Sequence, residues 1–479
     1  SRMFPEFLSA PEFIPAEPSV LADEESQAAY LIHPERSMSF LLVQLRTWMQ
    51  GGEIAPIWRE ALDWYWRDAT WRAKLSNMLY SMTYSNREQQ LSREISSMLY
   101  GSKLTASVSR MERFAVCPFL QFVSLGLRLK ERPVYRLGAP DVGQLFHAAL
   151  NLMAKRMIAE GVRWRDCTNE ELMMRAEEAV SEIAPRLQSE ILFSSERYQY
   201  MTRKLKGIVS RTAGIMGRHA KRGEFEPVAL ELAFGPGQAL KPLQFELDSG
   251  VLMELVGRID RIDAASLGER ELLRVIDYKS GAKSLSLTEV YYGLSLQLLA
   301  YLDVVISQAE QWRGKPAFPA GALYFHVHNP LLQTEKPMSE QEREDELLKQ
   351  YKMKGLVTAD QEAIRAMDNE LESGRSPIIP VGLKKDGEFY HDSQVADEEK
   401  WAGVRKLVRK KIKHIGNEIL QGKVAIEPYR YRQKTPCDYC AYRPVCQFDT
   451  QMAGNDYRYL PDIDKDELWQ RILEQKEEA

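Results

Sequence analysis

The chain contains no apolar run approaching the ~20 residues that a membrane-spanning helix requires, and no signal-peptide pattern opens it. Cysteine is scarce: five residues in 479, three of them crowded near the C-terminal end. That usage argues against a disulfide scaffold and suits an intracellular metal site. No GxxxxGK[ST] phosphate loop occurs, so no ATP site of the chain's own is visible. A net charge of -4 supplies no global field for nucleic acid, and any DNA contact must come from local basic patches. What is present is ordinary for a globular protein, 44% hydrophobic and 28% charged, with length for two or three domains. The first residue is Ser1, and an irregular stretch marked by Pro5, Pro11, Pro15 and Pro18 follows, which suggests a piece of a longer protein.

The most informative stretch is Leu272-Leu273-Arg274-Val275-Ile276-Asp277-Tyr278-Lys279-Ser280-Gly281. Side chains alternate along a strand, so Asp277 and Lys279 project from one side. A carboxylate can hold a divalent cation, and a lysine two residues on can orient water or offset charge on a phosphate. A second strand pattern, Leu255-Val256-Gly257-Arg258-Ile259-Asp260-Arg261, delivers another carboxylate. An Asp before Gly at a strand end is often only a turn former. Two carboxylates on neighbouring strands with a lysine beside one describe a metal-dependent phosphodiesterase centre.

Along the chain, residues 1 to about 100 read as mostly helical, with Trp58, Trp64, Trp66 and Trp71 expected in core or interdomain packing. Ser107 or Ser109 can cap a short helix that Cys117-Pro118 ends. A longer helix starts near Asp141 and puts Gly143 and His147 on one face, and residues 168–222 are also helical. Strands are predicted near 228–234, 243–247, 251–262 and 271–279, as an antiparallel meander. A helix from Glu289 to about Ala309 places Gln297 and Tyr301 one turn apart. His326 and His328 fall on one face of a strand without an evident third metal ligand. Residues 335–373 lack a β signal and are expected to be helical and exposed. A helix over 398–421 has an apolar stripe from Val404 to Ile419, with Arg405, Lys406, Arg409, Lys410 and Lys413 off it, and the end of the chain is an acidic, helical tail.

Cys437-Asp438-Tyr439-Cys440 followed by Cys446 is a C-x2-C-x5-C array. A fourth ligand could come from Cys117, in a hydrophobic Cys-Pro-Phe context, whereas Cys167 lies in a polar stretch. Spacing alone fits zinc or an iron–sulfur cluster. Either would close a loop of roughly 300 residues, so its loss should loosen the domain.

His147, Gly257-Arg258-Ile259-Asp260-Arg261, Asp277-Tyr278-Lys279 and Gln297-x3-Tyr301 occur in the order and approximate spacing of the RecB-family nuclease domain, which the chain resembles from about 104 to 450. The four cysteines narrow the resemblance to the iron–sulfur branch of that family. The resemblance implies an α/β, restriction-endonuclease-like core with a mixed central sheet flanked by helices. A mainly helical segment (1–103) would precede it and an acidic tail (451–479) follow. It implies Mg²⁺ held by His147, Asp260, Asp277 and the Tyr278 carbonyl, with Lys279 acting on water or phosphate and Gln297 and Tyr301 positioning DNA. It implies a [4Fe–4S] cluster on Cys117, Cys437, Cys440 and Cys446, with zinc as the alternative. The expected role is a cytoplasmic DNA exonuclease domain of a helicase–nuclease complex that processes double-strand ends and cuts the 5′-ended strand beside a partner helicase–nuclease subunit. Many members carry Glu where Asp277 stands; the shorter acid still suits an oxygen site for Mg²⁺. A silent DNA-binding module and a stand-alone exonuclease are the alternatives.

Overall fold

The structure is a computed structural model that describes residues 27–86, 90–101, 103–132, 136–187, 191–193, 195–332, 337–452 and 454–474. The proline-marked opening lies outside the described residues. Residues 1–87 with 449–455 form one compact unit, and 88–448 with 456–479 the other. No helix among the described residues is long and apolar enough to cross a membrane.

In the first unit, helices Pro34–Met49, Pro56–Arg67 and Ala69–Met82 bury Met38, Leu41, Trp58, Tyr65 and Leu75. Two of the helices start on proline, whose fixed φ suits a first turn. Of the tryptophans expected in packing, Trp58 is fully buried and donates from Nε1 to Gln27. Trp64 and Trp66 instead stand half exposed, one residue either side of the buried Tyr65. Apolar residues at i and i+2 cannot share the buried face of a helix.

The second unit is built on an eight-stranded mixed sheet, counted among the described residues. Its strands are β1 (Lys103–Ser107), β2 (Glu226–Phe234), β3 (Leu243–Glu246), β4 (Leu252–Leu267), β5 (Arg270–Lys279), β6 (Ala317–His326), β7 (Lys354–Thr358) and β8 (Val395–Ala396). The path β1-β4-β5-β6-β7-β8 pairs parallel, antiparallel, parallel, antiparallel and parallel in turn. The expected meander is corrected here: β2 and β3 both pair with β4, not with each other. Sixteen residues of β4 allow this, since its first half takes β1 and β3 and its second half β2 and β5.

Helices cover both faces. Helices α1 (Val108–Val116), α5 (Gln297–Arg313) and α6 (Glu398–Leu420) lie on one side; α2 (Ala139–Ala159), α3 (Asn169–Ile183) and α4 (Glu196–Lys221) lie on the other. The period-2 alternation of β5 divides the core. Leu273 and Val275 join the α1/α5/α6 layer, while Leu272, Ile276 and Tyr278 join the α2–α4 layer. Each such buried aliphatic chain stabilises the sandwich by about 1.5–3 kcal/mol.

Three further expectations change. The helix foreseen over 289–309 is two helices, Leu287–Tyr291 and α5, because Gly293 takes φ +81° and closes the first with bonds back to Val290 and Glu289. The 335–373 stretch holds helices Glu340–Gln350 and Gln361–Met367 but also β7, whose Leu356 and Val357 are buried. A Cβ at Gly355 would stand 2.0 Å from the Ala322 carbonyl oxygen, so only glycine lets β7 lie against β6. The basic face of α6 is partly spent within the fold: Arg405 and Arg409 each donate at 2.6 Å to the buried Asp303. Helix Lys465–Leu473 buries Leu468, Trp469 and Ile472 in the α1/α5/α6 layer.

Candidate functional site

Asp260 on β4 and Asp277 on β5 come together because the strands are antiparallel neighbours, with Arg261 opposite Ile276. α2 brings His147 to them from the other layer. That helix is anchored at its start by Pro140 and by Asp141, whose Oδ2 accepts the Gly138 N–H at 2.7 Å. His147 Nδ1 lies 3.2 Å from Asp260 Oδ2, and the same oxygen accepts the backbone N–H of Tyr278 at 3.0 Å. The Tyr278 ring turns away into the core, edge-on to His147. Beneath it Arg261 and Arg274 both bind the fully buried Asp263, at 2.5 and 2.8 Å, and fix the strands under the site.

Lys279 forms an ion pair with Asp277. Burial, and then the charge of Asp260, push the Asp277 carboxyl up to about 6 against the pull of Lys279. Burial disfavours the His147 imidazolium, yet Asp260 and Asp277 outweigh it and raise the His147 pKa. Two carboxylates and an imidazole packed this closely leave excess negative charge that a cation would neutralise.

Sequence reasoning missed Glu231. His147, Glu231 and Asp260 place ligand atoms within 4.8 Å of one another, the set among the described residues that could hold a metal ion. Glu231 sits in β2 at φ +51°, a left-handed conformation that costs a non-glycine residue roughly 1–3 kcal/mol and is retained where surroundings impose it. Burial and Asp260 raise its pKa. The available signal was a lone carboxylate in the apolar run Ala229-Leu230-Glu231-Leu232-Ala233.

Gln297 and Tyr301 also reach this corner. Gln297 Nε2 donates to the Tyr301 hydroxyl at 3.2 Å, and burial, with Asp277 and Asp260 nearby, pushes that phenol up to about 12. Gly257 makes room for the ring. A Cβ there would meet Phe234 at 2.7 Å and Tyr301 at 3.2 Å.

Cys117, Cys437, Cys440 and Cys446 line one small cavity walled by Phe119, Ile426 and Phe448. Cys117 caps α1, and burial pushes its thiol up to about 11. Burial also raises the Cys437 and Cys446 thiols. Among the described residues, the sulfurs do not form a set of three within 4.8 Å. Cys167 is elsewhere, buried in the α2–α4 core with its thiol toward the Arg163 carbonyl. His326 ends β6 and accepts the Lys283 N–H at Nε2, 3.0 Å away, while His328 lies beyond the strand. The two rings, 6.2 Å apart, serve the backbone rather than a shared ligand.

Residues 105–447 match the family model of the PD-(D/E)XK nuclease superfamily, and residues 23–81 that of the ATP-dependent helicase/deoxyribonuclease AddB fifth domain. The B subunit of the ATP-dependent helicase/deoxyribonuclease of Geobacillus thermodenitrificans is 45% identical over 460 residues, which is 96% of this chain and 39% of that protein. The Bacillus subtilis protein of the same name is 45% identical over 444 residues, 93% of this chain and 38% of its own. That of Bacillus licheniformis is 44% identical over 479 residues, 100% of this chain and 41% of its own. The chain thus spans about two fifths of the length of these relatives.

Proposed function

The chain belongs to the PD-(D/E)XK nuclease superfamily, and on that premise we propose that it hydrolyses DNA phosphodiesters as the Mg²⁺-dependent exonuclease domain, residues 104–450, of a larger helicase–nuclease protein. The observation that carries this reading is the convergence of His147, Glu231 and Asp260, with the Asp277–Lys279 pair beside them. The donor set is oxygen-rich with one imidazole, which suits a hard divalent cation. Such an ion would polarise the scissile phosphoryl group and favour hydroxide over water.

The chain's own residues then have distinct tasks. His147, Asp260 and Asp277 would hold the ion, with the Tyr278 backbone beside it and Glu231 added by the geometry. Lys279, free to leave Asp277 once a cation takes its place, would orient the attacking water or offset charge gathering on the phosphate. Gln297 and Tyr301 would place the DNA strand at the scissile bond. The names of the relatives support an AddA-type helicase–nuclease partner, linear and single-stranded DNA as substrate, and processing of double-strand ends for recombinational repair. In this arrangement the chain cuts the 5′-ended strand and works in the cytoplasm.

The cysteine cavity is read as the seat of a [4Fe–4S] cluster with a structural task. A tetrahedral zinc with Zn–S of ~2.3 Å would need sulfurs about 3.8 Å apart. The wider spread around this cavity suits a cluster between them.

Asp260→Ala in the full-length chain, assembled with its partner, tests the reading. It is expected to abolish this chain's cutting in Mg²⁺ while ATP-driven unwinding continues. Cutting at the parent rate would contradict it.

A further inference from the structure

α5 begins without a cap of its own. Its N-cap position is Leu296, which has no side-chain acceptor, and its first residue is Gln297. A helix start leaves unpaired N–H groups and a partial positive charge that together need an acceptor, preferably an anionic one. The acceptor comes from another helix: Glu112 Oε1 takes the Leu296 N–H at 2.7 Å and the Gln297 N–H at 2.8 Å. The carboxylate lies in partly buried surroundings, with Lys283 and Lys279 as the neighbouring positive charges. Glu112 belongs to α1, and α1 ends five residues later at Cys117, on the wall of the cysteine cavity. On the other side of the contact, Gln297 binds Tyr301, and the Tyr301 ring packs edge-on against Phe234 at 5.6 Å.

From this geometry we propose that Glu112 is a positioning residue. It holds the first turn of α5, and with it Gln297 and Tyr301, in register with Asp260 and Asp277, and it ties that turn to the helix that ends at Cys117. Glu112 touches no reacting atom in this account; it acts through the amides of Leu296 and Gln297. The functional half rests on the nuclease reading above, in which Gln297 and Tyr301 handle DNA.

The test uses the full-length chain in complex with its partner and compares Glu112→Ala, Glu112→Gln, Gln297→Ala and the Glu112→Ala/Gln297→Ala double variant. Hydrogen exchange by mass spectrometry over 294–302 reports the cap, and cleavage of a single-stranded oligonucleotide in Mg²⁺ reports the consequence. Glu112→Ala is expected to speed exchange in that segment and to slow cleavage, each roughly five- to thirtyfold, the range that follows from losing a helix cap. Glu112→Gln, which keeps an amide oxygen in reach, restores most of both. The double variant is expected to be no worse than the poorer single one.

Unchanged exchange in Glu112→Ala would overturn the proposal. So would a Glu112→Gln chain that is protected yet as slow as Glu112→Ala, because the charge itself would then act in the chemistry. Multiplicative losses in the double variant would also overturn it. Parent-level cleavage by Gln297→Ala would remove the DNA-handling reading, and the functional half with it, while exchange still reports the cap separately. Should the alanine chain fail to assemble, Glu112→Asp keeps the charge, shortens the reach and is expected to show the same deprotection at smaller amplitude; full protection there would count against the proposal.

Discussion

Asp260 and Tyr278 are joined across the β4–β5 pair: one carboxylate oxygen of Asp260 accepts the Tyr278 backbone N–H at 3.0 Å and faces His147 at the same time. The aspartate therefore has two separable jobs, locking the strand ends and supplying negative charge. Asp260→Asn keeps an oxygen for the amide and removes the charge. It is expected to fold as the parent does and to lose about tenfold or more in affinity for Mn²⁺ or Mg²⁺, read by calorimetric titration. Parent-like affinity would show that the ion is held elsewhere.

Metal binding should depend on pH in a definite direction. Asp277 is raised to about 6, so the stability its proton supplies is fully present below its ordinary value of 3.8 and is lost as pH rises through about 6. His147 is raised as well, and its proton is likewise lost as pH rises through its folded value. Both protons must leave for a cation to be held. The rise in melting temperature produced by Mg²⁺ is expected to be larger at about pH 7.5 than at about pH 5.5. An equal or reversed effect would exclude these two groups as ligands.

Gly257 supports the site from behind. Alanine there would drive a methyl group into Phe234 and Tyr301. The expected cost is about 1–3 kcal/mol of stability, seen in thermal denaturation, with a larger fractional loss of cleavage because Tyr301 shifts. A chain that kept both stability and cleavage would show that the ring is free to move without consequence.

The cysteine cavity ties α1 to the C-terminal loop, where the Tyr442 hydroxyl also donates to the Leu129 carbonyl at 2.7 Å. Cys440→Ser is expected to abolish visible iron–sulfur absorbance in anaerobically prepared complex, lower the melting temperature and speed exchange on both sides of the cavity. Stoichiometric zinc with no iron in the parent protein would replace the cluster with the alternative scaffold.

Much of this was legible in the chain because strand alternation is short-range. Asp277 and Lys279 had to share a face, and Gln297 and Tyr301 had to lie one turn apart. What was hidden depended on contacts between distant segments. Glu231 enters the site through an unusual backbone conformation in β2, and Glu112 acts on amides 184 and 185 residues away. β7 was hidden because its five residues carry a short apolar signal inside a charged stretch. The break before α5 hung on the left-handed turn at Gly293, within an otherwise helical pattern.

The central claim is that Asp260 and Asp277 form a working nuclease centre that acts on one strand. Its most direct test is strand-resolved cleavage of end-labelled linear DNA in Mg²⁺ and ATP, comparing the full-length chain in its native partner complex with the Asp277→Ala form. The account predicts that cutting of the 5′-ended strand disappears while the other strand is still cut and unwinding continues. Unchanged cutting of both strands would contradict it and leave the chain as a binding module with a nuclease fold.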